Sequence, residues 1–398
     1  MHIAVVNQHH HNPDCPATCR HYTFLAQLAL RHRVSLVASD GWRRTRITDT
    51  YSWAPTGVEL HECPVPYANS MGVVQRLKSF IGFAMAAFRK AMQLQTPDVL
   101  WAVSTPLSTA WVVAQVARLR GVPWVFEVQD LWPSFPIQMG AVKNSLLQKR
   151  LYRMEKRLYR SASHIITLSP DMTEYVVSLG ISPDKITTNY NGTDLALAAA
   201  VQPEEMAELR HTYKLQHKKV VLYAGTYGRA NDIPTLLQTI EAMAANLSIT
   251  FVLAGSGYYE SQLQALAQRV PNLLLLPPQP RPEIFKWFKL ADLSLITFND
   301  LPVLQTNSPA KFYDSLACGT PVIVTNPGWT KRFVEQHGCG WYVPAEQSQA
   351  LAQGIVQALA QPQELEAAGA RGAAISRQLF DRQQLVKEVE AVLEQVVR

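Results

Sequence analysis

The pattern that most constrains the fold is an alternation of short apolar runs with amphipathic stretches, which occurs twice along the 398 residues. Continuous apolar, β-branched runs predict strands buried on both faces, and helical stretches between them favour parallel sheets. In the first half the predicted strands cover residues 2–8, 34–39, 58–65, 98–104, 123–130, 164–169 and 185–190. In the second half they cover residues 220–225, 249–255, 273–277, 293–298, 321–326 and 340–343.

We therefore predict an α/β protein with two Rossmann-like parallel-sheet domains facing a cleft. The first domain is predicted at residues 1–185 and the second at residues 186–375. Residues 376–398 are predicted to form one amphipathic C-terminal helix that crosses back to the first domain. Ligands of parallel sheets bind beyond the carboxyl ends of the strands, so the loops that follow each strand are the candidate functional segments.

Charge is distributed unevenly between the two halves. Residues 1–190 contain 20 Lys and Arg against 12 Asp and Glu, whereas residues 191–398 contain 17 against 19. The basic first half favours an anionic partner, and both nucleic acid and an anionic lipid surface fit that charge. The sequence lacks the interleaved aromatic and basic residues that bind single strands, so we do not expect nucleic acid.

Several features predict a cytoplasmic protein. The longest apolar run, residues 79–88, is too short to span a bilayer. The first twelve residues do not show the basic start and apolar block of a secretory signal. Five cysteines at irregular spacing fit a reducing compartment better than a disulfide framework.

Two glycine-containing loops follow the first two predicted strands of the second half. The loop LYAGTYGRAND, residues 222–232, contains Gly225 and Gly228, which allow close backbone approach, and Arg229, which can reach an anion. The loop LAGSGYYE, residues 253–260, contains Gly255 and Gly257. It is G-x-G without the rest of a dinucleotide fingerprint and is a weak signal by itself. An ordinary glycine turn is the alternative for residues 222–232.

The stretch NSPAKFYDSLACGTPVI, residues 307–323, carries a family resemblance. Its DSLACGTPVI resembles the E-A-x-A-x-G-x-P-V signature of family 4 glycosyltransferases, which have the two-domain GT-B architecture. In the expected order, YAGTYGRANDIPTLLQTI, NYNGTD, LAGSG and QPRPEIFKWFKLADLSLITF resemble other segments of that family. In the first half, VFEVQDLWP and VSTPLSTAW are similar to the branch that adds amino sugars to bacterial O-antigen and capsule precursors.

The resemblance implies a retaining transfer of a hexosyl or acetamido-hexosyl group from a UDP-linked donor to a glycan or lipid-linked glycan, in the synthesis of cell-surface polysaccharide such as lipopolysaccharide. It places Asp314 on the ribose hydroxyls of the donor, because a carboxylate accepts two hydrogen bonds from a vicinal diol. It places Arg229, Lys311 and the amides of residues 307–310 on the diphosphate, and a solvated helix face is the alternative for Lys311. The implied donor-binding residues are Gly225, Thr226, Gly228, Arg229, Gly255, Gly257, Thr306, Asn307, Ser308, Pro309, Ala310, Lys311 and Asp314.

The sequence departs from the family pattern at four points. Thr306 stands where the family has a first carboxylate that contacts the donor hexose. The common Arg and Lys of the glycine loop fall on Thr226 and Asn231, so Arg229 is the expected substitute, with Lys311 as the second cation. The histidine of the family's catalytic loop is replaced by Gln129. No Asp-x-Asp is present, which agrees with metal-independent transfer without a cofactor.

The loops of the first domain supply the expected acceptor site. Asp130 is a candidate for acceptor activation or for holding a donor hydroxyl, and a helix cap is the alternative. Together with Arg229 and Lys311 it forms the predicted catalytic set. The predicted acceptor-binding residues are His10, His11, Asn12, Ser104, Thr105 and Gln129, although a solvated loop is the alternative for those in residues 7–22. The His, Asp and Cys residues of that loop match no zinc spacing, so we expect no metal.

Two basic and apolar stretches remain. Residues 73–92 combine Arg76, Lys78, Arg89 and Lys90 with an apolar face, and residues 149–164 repeat R-L-Y-R. Both fit an anionic bilayer, such as the inner leaflet of the plasma membrane, that presents a lipid-linked acceptor. A core helix with a solvated edge is the alternative.

Other function classes stay open or are disfavoured. A nucleotide-sugar epimerase of the same architecture and a non-catalytic sugar-nucleotide binder are the alternatives that we retain. A dinucleotide-dependent oxidoreductase needs G-x-G-x-x-G after its first strand, and the segment NQHHHNPD contains no glycine.

Overall fold

The computed structural model describes residues 1–68 and 71–398. The first domain contains a parallel sheet of seven strands in the order β3-β2-β1-β4-β5-β6-β7. These strands are β1 (His2–Asn7), β2 (Arg33–Ser39), β3 (Val58–Cys63), β4 (Val99–Val103), β5 (Trp124–Val128), β6 (His164–Thr167) and β7 (Ile186–Thr188). The helices of this domain are α1 (Arg20–Leu28), α2 (Val73–Gln93), α3 (Leu107–Arg120), α4 (Ser134–Gln138), α5 (Ser145–Ser161) and α6 (Pro170–Ser178).

The second domain contains a parallel sheet of six strands in the order β10-β9-β8-β11-β12-β13. These strands are β8 (Lys219–Ala224), β9 (Ile249–Ala254), β10 (Leu273–Leu276), β11 (Leu293–Ile296), β12 (Val322–Val324) and β13 (Gly340–Tyr342). Its helices are α7 (Leu195–Ala200), α8 (Pro203–Thr212), α9 (Ile233–Ala242), α10 (Glu260–Ala267), α11 (Arg281–Leu290), α12 (Pro302–Gln305), α13 (Ala310–Ala317), α14 (Trp329–His337), α15 (Ser348–Leu359) and α16 (Pro362–Leu379).

The predicted fold class is confirmed, because every predicted strand overlaps one observed strand and both sheets are parallel. The central strands are buried along their whole length, which explains why they appear in the sequence as unbroken apolar runs. Strand order reverses between β1 and β4 in the first sheet and between β8 and β11 in the second. Such switch points open a crevice at the carboxyl ends of the strands, where ligands bind.

The last helix, α17 (Arg382–Val397), returns to the first domain as predicted. Its buried residues Leu385, Val389 and Leu393 belong to the same apolar cluster as Ile3 and Phe24 of the first domain. The predicted single helix over residues 376–398 is wrong, however, because α16 ends at Leu379. Asp381 then caps α17 by accepting a hydrogen bond of 2.9 Å from the Gln383 amide.

The boundary between the domains lies a few residues later than predicted. Strand β7 pairs in parallel with β6, with Ile186 opposite Ile165. The first sheet therefore includes residues 186–188, which we had placed in the second domain. The segment that joins the two sheets starts after Thr188, where the chain leaves the first sheet.

Helix α2 has one buried and one exposed apolar face. Phe83, Ala87 and Ala91 pack into the first domain. On the opposite side, a stripe of five apolar residues is 50–66% exposed: Val73, Val74, Leu77, Ile81 and Met85. The spacing of about four residues keeps the stripe on one side of the helix. Among the described residues, no helix is long and apolar enough to cross a membrane.

Candidate functional site

A cavity of about 180 Å³ lies between the two domains, where the strands of both sheets end. It is lined by Thr18, Gln129, Asp130, Leu168, Asn191, Phe298, Asn307, Ser308 and Pro309. The predicted site residues Gln129 and Asp130 follow β5, whereas Asn307, Ser308 and Pro309 precede α13. The cavity thus brings the predicted catalytic loop of the first domain next to part of the predicted donor loop of the second.

Asp130 offers a free carboxylate to this cavity. Within the described part of the chain, no hydrogen bond or ion pair to its side chain is found, so the alternative role as a helix cap is not supported. Burial without a compensating partner raises the pKa of Asp130 to about 6. A carboxyl group with a pKa near neutrality exchanges protons readily at physiological pH, which suits a general base or acid.

A buried ion pair holds the loop that carries Asp130. The Glu127 carboxylate on β5 is inaccessible to solvent, and it accepts a hydrogen bond of 3.1 Å from Nε of Arg20. His21 Nε2 lies 3.1 Å from the same oxygen, and the Gln129 carboxamide donates to it at 3.4 Å. Burial raises the pKa of Glu127, but the charges of Arg20 and His21 outweigh burial and lower it to about 2. The sequence analysis missed Glu127 and Arg20, although a charged residue within the apolar strand WVFEV was a signal.

Gln129 and Ser104 join the ends of two neighbouring strands. The Gln129 amide donates a hydrogen bond of 3.1 Å to the Ser104 hydroxyl, and the Ser104 amide donates to the Glu127 carbonyl at 2.9 Å. Ser104 is buried, so it supports the catalytic loop instead of contacting an acceptor as predicted. Thr105 is half-buried just before α3.

Lys311 is a buried cation at the start of α13. Its Nζ lies 3.9 Å from the ring centroid of Tyr223 and 5.4 Å from that of Phe298, which also lines the cavity. In the part of the chain that the structure describes, no carboxylate pairs with this ammonium group. Burial therefore lowers the pKa of Lys311 to about 7. A buried cation without an acidic partner is a strong candidate for holding an anionic ligand.

The glycine loop approaches Lys311 closely. A Cβ atom built on Gly225 would lie 3.9 Å from the Lys311 ammonium nitrogen. Gly225 has φ +146°, a value that other residues rarely adopt. The backbone of this loop and the side chain of Lys311 thus face each other across a short gap.

Gly255 and Gly257 let the second glycine loop pack against the first. A Cβ on Gly255 would lie 1.9 Å from the Gly225 carbonyl oxygen, and one on Gly257 would lie 2.8 Å from that of Tyr227. The Tyr227 amide also donates a hydrogen bond of 2.9 Å to Ser256. These glycines therefore shape the loop around Gly225. The predicted donor residues Thr226 and Gly228 lie on the same loop, exposed and half-buried, respectively.

Arg229 and Lys311 occupy different environments. Arg229 is exposed, and its guanidinium group lies 4.1 Å from the ring centroid of Tyr258, which is also exposed. Its backbone carbonyl accepts a hydrogen bond of 3.0 Å from Asn299. Of the two predicted cations, only Lys311 is buried.

Asp314 does not offer a free carboxylate. Arg281 donates to both of its oxygens, at 2.6 and 2.8 Å, and the Thr193 hydroxyl donates to one of them at 2.7 Å. The Asp314 side chain is 2% exposed. Each oxygen has a second lone pair, but this burial leaves little surface for two ribose hydroxyls. The predicted ribose contact is therefore corrected, and Asp314 belongs to the junction between the domains.

The same junction contains further charged groups that the sequence analysis missed. The Arg281 amide donates a hydrogen bond of 3.1 Å to the Pro13 carbonyl in the first domain. Arg382, at the start of α17, forms an ion pair of 2.6 Å with Asp194 in the connecting segment. The junction thus ties α11, α13 and α17 to the first domain.

Two of the three predicted acceptor residues in the first loop are structural. His10 is fully buried and its Nε2 lies 2.8 Å from the Trp53 carbonyl oxygen. Burial lowers the pKa of His10 to about 4, despite this hydrogen bond. The Asn12 carboxamide donates to the Asp14 carboxylate and to the Tyr51 carbonyl, both at 3.1 Å. These contacts correct the predicted sugar-binding roles of His10 and Asn12.

His11 keeps some exposed surface. Its ring packs against Trp42, with ring centroids 4.7 Å apart. Burial, followed by the neighbouring histidines, lowers its pKa to about 3, so the ring is neutral at physiological pH. His11 thus remains a candidate contact for an uncharged ligand.

The remaining predicted donor residues differ in their accessibility. The Thr306 hydroxyl donates to the Val303 carbonyl at 2.8 Å, and the Thr306 carbonyl accepts from Ser169 of the first domain at 2.6 Å. The Ser308 hydroxyl lies 2.5 Å from that of Tyr313. Ala310 is half-buried at the first position of α13. Thr306 is used within the protein and does not line the cavity.

Two family models match the chain. Residues 17–192 match the model described as a glycosyl transferase 4-like domain. Residues 218–361 match the model described as glycosyl transferases group 1. The two matches follow the two sheets, and the gap between them falls on the connecting segment and α8.

Curated relatives have related names. A D-inositol 3-phosphate glycosyltransferase 1 from Catenulispora acidiphila is 26% identical over 54% of this chain and 53% of its own length. A D-inositol 3-phosphate glycosyltransferase from Segniliparus rotundus is 24% identical over 83% of this chain and 74% of its own length. The match therefore spans about half of the first relative and three quarters of the second.

Solved structures share the architecture. A sucrose-phosphate synthase from Thermosynechococcus elongatus superimposes with a TM-score of 0.77 at 18% identity, covering 99% of this chain and 98% of that one. HepE from Anabaena, in complex with UDP, superimposes with a TM-score of 0.74 at 17% identity, covering 99% of this chain and 100% of that one. Together with the two family models, these matches establish that the chain belongs to the family 4 glycosyltransferases and has the GT-B architecture.

Proposed function

We propose that this glycosyltransferase moves a hexosyl or acetamido-hexosyl group from a UDP-linked donor to a glycan, with retention of configuration and without a metal ion. The observation that carries the proposal is the unpaired ammonium group of Lys311. It lies at the start of α13, faces the backbone at Gly225, and adjoins the cavity that contains Asp130. A diphosphate supplies the negative charge that this arrangement lacks.

The donor diphosphate would lie between the glycine loop and the start of α13. There it would meet the Lys311 ammonium group and the first backbone amides of the helix, which carry partial positive charge. Arg229 is placed at the exposed rim of the same loop and would help to attract the donor from solution. These groups would stabilise the negative charge that develops on the diphosphate as the bond to the sugar breaks.

The sugar would then extend from the diphosphate into the cavity. Retention would follow if the acceptor hydroxyl attacks on the face from which the diphosphate departs. The bond between the anomeric carbon and the phosphate oxygen breaks, a bond to the acceptor oxygen forms, and the acceptor proton passes to the free carboxylate of Asp130. Holding both substrates in the narrow cleft supplies the orientation that this reaction needs.

The acceptor would be a lipid-linked glycan at an anionic membrane. The exposed apolar stripe of α2 supports this proposal, as do Leu146 and Leu147, which are exposed at the start of α5. Helix α3 packs against both α2 and α5 and exposes Trp111 between them. Exposed cations surround these apolar residues: Lys78, Arg89, Lys143, Lys149, Arg150, Arg153 and Arg157. Apolar groups within a basic surface are typical of helices that lie on anionic bilayers.

A panel of nucleotide sugars tests the proposed reaction. The protein would be incubated with UDP-glucose and UDP-N-acetylglucosamine, with and without EDTA, and UDP release would be followed. Slow donor hydrolysis that persists in EDTA supports the proposal, and Lys311→Met should abolish it. Loss of hydrolysis in EDTA with recovery in magnesium or manganese would contradict the metal-free mechanism.

The same panel separates the alternatives. Isomerised donor without UDP release would indicate an epimerase, and binding without any product would indicate a sugar-nucleotide binder. Acceptors to add include a polyprenyl diphosphate-linked sugar and, because of the names of the curated relatives, inositol 3-phosphate. The anomeric configuration of the product, measured by NMR, decides between retention and inversion.

A further inference from the structure

The group that contacts the donor sugar must differ from the one that the family pattern suggests. Thr306 stands at the position of the family's hexose-contacting carboxylate. Its hydroxyl is bonded to the Val303 carbonyl, and its own carbonyl accepts a hydrogen bond from Ser169. Thr306 also lies outside the lining of the cavity. The polar residues that do line the cavity are therefore better placed for such a contact.

The cavity is small and lies close to Lys311. Its volume of about 180 Å³ is below the roughly 300–1,000 Å³ of pockets that enclose drug-sized ligands. Phe298 lines it, and the Lys311 ammonium group lies 5.4 Å from the centroid of that ring. A sugar attached to a diphosphate at Lys311 would enter this space next to Asp130.

Besides Asp130, Asn191 is a cavity residue with an unused acceptor. It is only 6% exposed, and its Nδ2 donates a hydrogen bond of 3.1 Å to the Ser308 carbonyl on the opposite wall. Its Oδ1 has no hydrogen-bond partner in the described structure. A buried acceptor left unpaired is destabilising, which favours binding of a donor group from a ligand.

Two arginines hold the backbone of Asn191 in place. Its backbone carbonyl accepts hydrogen bonds from Nε of Arg382 at 3.2 Å and from Nη1 of Arg20 at 3.4 Å. Both guanidinium groups are fully buried. The charged junction between the domains thus holds the backbone of Asn191, and the hydrogen bond to the Ser308 carbonyl orients its side chain.

We propose that Asn191 is a sugar-specificity residue, whose Oδ1 accepts a hydrogen bond from a hydroxyl or acetamido N–H group of the transferred hexose. This inference rests on the proposed function, because it assumes a nucleotide-sugar donor at Lys311. Asn191 would take over the hexose contact that the family assigns to the position of Thr306. It would also place the anomeric carbon next to the Asp130 carboxylate.

The test compares the affinity for UDP with that for UDP-glucose and UDP-N-acetylglucosamine, measured by calorimetry on the full chain. Asn191→Ala should leave the Kd for UDP within about twofold of the wild type. It should weaken binding of the UDP-sugar relative to UDP by about two- to tenfold, the scale of one hydrogen bond. Asn191→Asp keeps an acceptor oxygen but loses the donor to Ser308, so the ratio of the two affinities should stay within about twofold of the wild type.

Asn272 provides a matched control. It is equally buried, and its Oδ1 also lacks a partner, but it precedes β10 and so lies at the edge of the sheet away from the cleft. Asn272→Ala should change neither affinity. If Asn191→Ala changes both affinities equally or neither, or if the wild type binds UDP but neither UDP-sugar, the inference is wrong. If the wild type binds none of the three nucleotides, the proposed function itself fails.

Discussion

Arg281 binds both carboxylate oxygens of Asp314, at 2.6 and 2.8 Å, inside the junction between the two domains. The two residues are 33 positions apart in the sequence, on α11 and α13. Because Arg281 also donates a backbone hydrogen bond to Pro13, this pair connects the helix that carries Lys311 to the first domain. The signature aspartate of the sequence is thus part of the structural support next to the proposed donor site.

The first prediction concerns the stability of this junction. Asp314→Ala removes both side-chain hydrogen bonds that the described structure gives the buried Arg281 guanidinium, and it leaves Asp194, at 3.9 Å, as the ionic neighbour. The free energy of unfolding should therefore fall by about 3–5 kcal/mol. Urea denaturation at pH 7 measures this change. Glu283→Ala serves as the control, because Glu283 pairs with Lys286 on the exposed side of α11, the helix that carries Arg281. This exposed pair should contribute less than about 1 kcal/mol. If Asp314→Ala is as stable as the wild type but no longer binds UDP, Asp314 contacts the donor ribose after all and the structural role is wrong.

Much of the fold could be predicted from the sequence, because the strands are continuous apolar runs and their order follows from regular alternation. The roles of individual polar residues could not. Asp314 and Asn12 look like free polar groups in the sequence, but Arg281 and the Tyr51 carbonyl engage them after folding. Such pairings join residues distant in sequence, and no local spacing reveals them.

Lys311 and Asp130 were predicted as catalytic residues, and these roles stay predictions. Asp130 lies in the loop that follows β5, and Lys311 lies in the first turn of α13. The structure leaves both side chains without an ionic partner among the described residues. Asn191 was not recognised as a site residue, because its environment depends on how the second domain folds over the connecting segment.

The second prediction concerns Lys311 and its dependence on pH. A bound diphosphate stabilises the ammonium form, so UDP binding should raise the pKa of Lys311 from its value of about 7 in the free protein. Binding would then take up a proton above pH 7, and UDP affinity should fall as the pH rises from 7 to 9. Calorimetry in two buffers of different ionisation enthalpy measures the proton uptake.

Lys311→Met tests the origin of this effect. The variant should bind UDP more weakly, release no measurable UDP from a donor, and show no proton uptake above pH 7. Lys289→Met is the control, because Lys289 is exposed on α11. Proton uptake that persists in Lys311→Met would show that another group titrates.

Lys311→Met should weaken UDP binding but stabilise the folded protein. The pKa of Lys311 is lowered on folding from 10.5 to about 7, so between these values the unfolded chain binds more protons than the folded chain. Stability from this group therefore rises with pH across that range and is lowest below pH 7. Lys311→Met removes the buried charge, and at pH 6 it should raise the free energy of unfolding by about 0.5–2 kcal/mol.

The third prediction concerns Asp130 as a general base. Its carboxyl group must be ionised to accept a proton, so kcat/KM should rise with pH as Asp130 ionises near its pKa of about 6, and it should fall again above pH 7 as Lys311 loses its proton. Asp130→Asn should lower kcat about 10²- to 10⁴-fold and remove this rise, with UDP affinity nearly unchanged. Initial rates of donor hydrolysis between pH 5 and 8 provide the measurement. An unaltered pH profile in Asp130→Asn would assign the titration to a different group.

The fourth prediction concerns the apolar stripe of α2. If the first domain lies on an anionic bilayer, the wild type should float with vesicles that contain an anionic lipid at low salt, and it should stay behind with neutral vesicles. Attraction by exposed cations weakens as salt shortens the screening length, so high salt should release the protein. Lys78 and Arg89 are both exposed on α2, and changing both to Gln should weaken binding by about 2 kcal/mol.

The apolar contribution is tested separately at the same surface. Leu77→Gln with Ile81→Gln should reduce flotation at low salt, because these side chains are 55% and 50% exposed and would enter the headgroup region. Leu247→Gln with Val356→Gln changes two comparably exposed apolar residues of the second domain, and it should leave flotation unchanged. If Leu77→Gln with Ile81→Gln floats as the wild type does, the attraction is electrostatic alone and the stripe does not insert. If the wild type itself stays at the bottom of the gradient with anionic vesicles at low salt, the stripe contacts something other than a bilayer.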